Sequence, residues 1–137
     1  MAFAGTNYLA IVIAAVVSYG FGALYYGALA KPWMAALGKT EEDMKANSSM
    51  TPFVIAFVAL LVMATVLAGV MGHLGPGQVT LRNGLISAGF IWVGFVATTL
   101  AVNHAFQGAK PTLTLVDGGH WLGVLLIQGA TIGLMGV

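Results

Sequence analysis

The sequence predicts an all-α fold: an integral membrane four-helix bundle with a short amphipathic interfacial helical segment between spans 1 and 2. Three observations predict it. Hydrophobic residues make up 59% of the 137 residues and charged residues only 7%, against roughly 25% charged in soluble domains. So little charge cannot cover a water-exposed surface, and lipid must be the solvent for much of the chain. Four apolar stretches then recur at the length of about 20 residues that a helix needs to cross a bilayer core. Finally, the 19 glycines suit membrane helices, where small residues let backbones approach closely.

The elements follow in order within a single domain, 1–137. The first span, 8–30, begins at Tyr8 and contains no charge. The apolar run is too long for a signal-peptide core and lacks its basic flank, so it reads as a retained span. Residues 31–51 hold most of the charge. Within them, Pro32 to Gly38 reads as a short helix closed by glycine, with Trp33, Met34 and Leu37 on its apolar side. Thr40-Glu41-Glu42-Asp43 reads as a second helix start. Both pieces are expected to lie along the membrane interface. Thr51-Pro52 offers an N-cap and a first-turn proline for the second span, 53–72.

Gly75-Pro76-Gly77 is a turn. The third span covers 80–102, with Arg82 in its first turn, where the side chain can snorkel to headgroups. The fourth span ends the chain and admits two starts. One begins at His120, with Asp117 as N-cap. The other begins near Pro111-Thr112, which places Asp117 inside the helix and gives a span of about 113–137. The longer helix is favoured because His120 to Val137 alone is short for a full crossing.

Small residues at helical spacing mark contact faces. The fourth span carries Gly129 and Gly133 in a GxxxG pattern, continued by Gly136, a face for intramolecular packing or for an oligomer. Ser18, Gly22 and Tyr26 share one face of the first span. At 100° per residue, Gly84, Ser87, Gly94 and Thr98 share one face of the third. His120 and Gly129 are nine residues apart, about 180° around a regular helix, so they should address different neighbours.

Ionisable residues at membrane depth are costly and mark function. Here they gather toward one side of the membrane, giving a candidate ligand or relay cluster of Tyr25, Tyr26, Lys31, Trp33, Asn103, His104, Asp117 and His120. His104, His120 and Asp117 have the donor chemistry of a metal site, and the same groups suit a proton relay. Capping and interface anchoring account for the same residues without either role. No catalytic residue, metal or cofactor is therefore assigned. Without cysteine there are no disulfides or thiolate metal sites. The formal charge of +1 gives no reason to expect nucleic acid as a partner.

Lys31, Lys39, Lys45 and Lys110 lie in the first and third loops, against Arg82 on the other side. The positive-inside rule then puts loops 1 and 3 in the cytoplasm and both termini outside. The expected partners are the lipid bilayer and a homo-oligomer or larger membrane complex.

The segments Gly22-Ala23-Leu24-Tyr25-Tyr26-Gly27, Lys31-Pro32-Trp33-Met34 and Gly38-Lys39-Thr40-Glu41-Glu42-Asp43 resemble those of a known family. So do Trp92 to Thr99, Asn103 and Asp117-Gly118-Gly119-His120. In order and spacing the chain resembles the domain of unknown function 1761 family of small bacterial membrane proteins. The resemblance implies a four-span protein of the bacterial inner membrane and brings no established activity or site residues. The first functional reading is a non-enzymatic binding or accessory module for a lipid, a hydrophobic ligand or a membrane complex. A small oligomeric transporter or proton-coupled carrier is the second, and a metal-dependent membrane enzyme the third.

Overall fold

In the computed structural model, which describes residues 5–136, the chain folds into helices that include four of membrane-crossing length. The first span, α1 (Tyr8–Ala28), starts at Asn7, whose side chain accepts the backbone N–H of Ala10 at 3.0 Å. A cap of this kind satisfies one of the amides that the first helical turn leaves free. The short helix α2 (Ala30–Leu37) ends on Gly38 at φ 68°. Lys39 N–H reaches Met34 O and Gly38 N–H reaches Ala35 O, the paired closure that a left-handed glycine permits. In α3 (Glu41–Ala46), Thr40 and Asp43 form the expected reciprocal cap.

The second span, α4 (Thr51–Gly72), starts two residues earlier than 53 and has Met50, not Thr51, as its N-cap residue. Pro52 stands in its first turn, where the missing N–H costs nothing. The third span, Leu81–Gln107, runs five residues beyond 102. It is not one regular helix. An α-helical half, α5 (Leu81–Ile91), passes into a π-helical segment at Trp92–Ala97 and then into α6 (Thr98–Gln107). The fourth span, α7 (Pro111–Met135), settles the choice of start in favour of proline at the first turn. Asp117 therefore lies inside the helix; the expected end at Val137 falls outside the described residues.

The π segment corrects one expected face. At 100° per residue, His104 would lie about 200° from Gly84, turned away from the bundle. A π turn takes up additional residues and delays the face. The inward positions become Gly84, Ala88, Trp92, Val96, Leu100 and His104, all buried or half-buried. Gly94 and Thr98, expected beside Gly84, are exposed instead.

The fourth helix, α7, is the centre of the assembly, packing most extensively on α5 and α1, while α4 rests mainly on α1. On the α5 side the contact is backbone to backbone. A Cβ at Gly84 would run into Gly129 O, one at Gly129 into Gly84 O, and one at Gly133 into Thr80 O. Gly136 meets nothing within 4 Å. Gly129 and Gly133 thus serve packing within the chain. On the other side, Ile11 and Ala14 of α1 join Ala64, Leu67, Ala68 and Met71 of α4 and Ile132 of α7 in one core cluster. Lipid offers no solvent-driven push between helices, so this close fit and the interhelical hydrogen bonds hold the bundle.

Candidate functional site

The ends of α1 and α7 that adjoin α2 interlock through aromatic rings and glycine notches. Residues 18, 22 and 26 recur at four-residue spacing on α1 and all face α7, as their sequence spacing predicts. His120 of α7 seats its imidazole against Gly22, with Nε2 2.9 Å from where a Cβ would stand. In return, Phe21 occupies the space a Cβ at Gly123 would need, and the Tyr25 hydroxyl lies 2.6 Å from a Cβ placed at Gly119. Each helix supplies notches for the other's rings.

His120 is only 9% exposed. Its ring stacks on Phe21 at 5° between planes. Tyr25, Tyr26 and Trp121 enclose it, with ring centroids 5.7, 4.8 and 4.7 Å away. Its Nδ1 has no hydrogen-bond partner among the described residues. Around it the polar groups are engaged between helices. The Tyr26 hydroxyl donates to Asp117 Oδ1 at 2.7 Å, and the Tyr25 hydroxyl to Val116 O at 2.7 Å. From the π segment, Trp92 Nε1 donates to Gly118 O at 2.8 Å. Trp33 of α2 meets the Tyr26 ring edge-on at 5.4 Å, so α2 is tied to the same cluster. Lys110 Nζ adds a bond to Ala35 O at 3.4 Å, joining loop 3 to the end of α2.

Of the eight candidate residues, Tyr25, Tyr26, Trp33, Asp117 and His120 come together. Lys31 is exposed at the start of α2, and Asn103 is exposed on α6. His104 pairs its Nδ1 with Thr114 Oγ1 at 2.8 Å. Among the described residues no group of three His, Cys, Asp or Glu is placed to hold a metal ion.

One buried polar node was missed in the sequence. Gln128 is fully buried at the junction of α1, α4 and α7, where its Nε2 donates to Ser18 Oγ and to Leu60 O, both at 3.1 Å. Its Oε1 has no partner among the described residues. The available signal was the residue itself, an amide well inside an apolar span, where polar side chains hold helices together.

The chemistry of this end is that of a locked seam. It has a carboxylate held by a phenol, a second phenol on a backbone carbonyl, and an imidazole whose Nδ1 is unpartnered inside an aromatic enclosure. No curated protein and no solved structure matches the chain. A family model described as protein of unknown function (DUF1761) matches residues 9–133, which include every residue of the seam. The chain belongs to that family, whose match extends over all four spans.

Proposed function

We propose that the protein is a non-enzymatic binding or accessory module of the bacterial cytoplasmic membrane. It engages a lipid, a hydrophobic ligand or a membrane partner at the aromatic end formed by α1, α2 and α7. One observation carries this reading. The groups there with acid–base chemistry are committed to helix-to-helix bonds or enclosed, while Tyr26 and Trp33 remain half-buried at the rim. A catalytic site instead needs a base or nucleophile within hydrogen-bond reach of a substrate. The Lys110 bond to α2 supports grouping Lys31, Lys39, Lys45 and Lys110 at one end, which the positive-inside rule assigns to the cytoplasm.

Native mass spectrometry of the protein released directly from its membrane tests this. The wild type should retain at least one bound lipid, hydrophobic molecule or partner chain more than the Tyr26→Ala, Trp33→Ala double variant. Helical content should be the same in both. Equal retention in both would remove the aromatic end as the binding site.

A second reading, a proton-coupled carrier, draws on the unengaged Nδ1 of His120 and its position one turn from Asp117. Proteoliposomes containing a pH-sensitive dye separate the two. A carrier acidifies or alkalinises the lumen in an Asp117-dependent way, and Asp117→Asn abolishes it without unfolding the protein. A binding module gives no such flux.

A further inference from the structure

The α4–α5 hairpin is closed by a short connection, residues 73–80, yet α4 packs more on α1, and α5 more on α7, than the two pack on each other. Contact of Gly84 with Gly129 draws α5 against α7, and Ala64, Leu67 and Ala68 hold α4 against α1. Between the two helices remains a groove of about 420 Å³, within the range of about 300–1,000 Å³ typical of ligand sites. Because each wall is fixed by a different neighbour, the groove is a built feature of the bundle.

Its composition changes along its length. Val70 and Leu74 of α4 and Ile86, Phe90 and Ile91 of α5 make the walls. Val70, Ile86 and Phe90 are 40%, 43% and 77% exposed, so the groove opens sideways into hydrocarbon. At the loop end stand Gln78 and Asn83, with Asn83 Nδ2 donating to Gln78 O at 2.8 Å and to Gln78 Oε1 at 3.1 Å. Arg82 precedes Ile86 and Phe90 by four and eight residues, which puts it on the same stripe of α5, at headgroup level. An apolar trough with amide and guanidinium groups at its mouth matches an amphiphile whose head is anionic.

We propose that this groove binds an anionic phospholipid, with one acyl chain along Ile86 and Phe90 and the phosphate at Arg82. The site is separate from the aromatic end and does not depend on it. Two physical terms favour the occupant. A chain in the trough restores dispersion contacts that an unfilled gap forfeits. A guanidinium also pairs with phosphate through two parallel charge-assisted hydrogen bonds.

The test is competition between phosphatidylglycerol and phosphatidylcholine of matched chains, added in equal amounts to delipidated protein and read by native mass spectrometry. Wild type should retain the anionic lipid in excess by about tenfold, the scale of one charge-assisted bond. Arg82→Gln should bring the two lipids to parity, and Arg82→Lys should restore part of the preference. Ile86→Trp, which fills the trough from its open side, should lower retention of both lipids. Circular dichroism shows whether each variant keeps its helices. Parity in the wild type, or a preference that survives Arg82→Gln, overturns the headgroup assignment. Undiminished retention in a folded Ile86→Trp overturns the groove.

Discussion

Gly22 of α1 and His120 of α7 touch across the bundle seam, with Nε2 2.9 Å from the point a Cβ at residue 22 would occupy. The imidazole has little room to retreat, because Phe21, Tyr25, Tyr26 and Trp121 enclose it. Gly22→Ala should therefore overpack the seam and lower stability by about 1–3 kcal/mol. Gly27→Ala, on the same helix with nothing within 4 Å, should stay within about 1 kcal/mol of wild type. Thermal unfolding of both variants in the same detergent makes the comparison.

Gly84 and Gly129 meet through their carbonyls, and a backbone cannot swing aside as a side chain can. Alanine at either position should cost more than Gly22→Ala, above about 2 kcal/mol. The contact lies within one chain, so the loss should be the same at high and low protein-to-detergent ratio. A wild-type midpoint that falls on dilution, in a way that these variants abolish, would point to a contact between chains.

At the bundle centre, Ser18 accepts one N–H of Gln128. Ser18→Ala strands that N–H in a fully buried site, and should cost about 1–2 kcal/mol, at the upper end for bonds between membrane helices. Gln128→Met removes donor and unpaired acceptor together at similar size. It should be the milder change, because replacing a buried polar group by an apolar one of like shape can be nearly neutral. Equilibrium unfolding of the two single variants decides the order.

The charge on Asp43 is favoured first by the Thr40 backbone N–H, 2.9 Å from Oδ2, then by the Thr40 hydroxyl, with Lys39 adding to both. Its pKa therefore lies below the ordinary 3.8. A depressed carboxylate stabilises the folded form fully above its unfolded pKa and loses that contribution as pH falls through the folded one. The α3 cap should thus be intact at neutral pH and open only in acid, below 3.8. Carboxyl NMR should show the Asp43 midpoint moving up toward the ordinary value in Thr40→Ala.

Much of this fold is legible in the sequence because the membrane demands it. Uncharged runs of fixed length announce the spans, and Pro52, Gly38 and Pro111 punctuate them for local backbone reasons. The opposed faces of His120 and Gly129 follow from helical arithmetic, and they do point to α1 and α5 respectively. That arithmetic failed on the third span, where the period itself changes at Trp92–Ala97 and no residue type announces it. The meeting of Tyr26 with Asp117, and the separate pairing of His104 with Thr114, depend on which helices become neighbours. Spacing within one helix carries no information about that choice.

The π segment has a consequence for the third span as a whole. It acts as a phase slip between two rods. The upper rod is locked by the glycine contact at Gly84, and the lower is indexed by the Trp92 indole and the His104–Thr114 pair. A one-residue deletion within the slip would remove the extra residue that the π turn takes up, closing the span to a regular helix with His104 still on its face and the Gly84 contact in place. The two rods therefore answer to different neighbours, and a change in one need not be transmitted to the other.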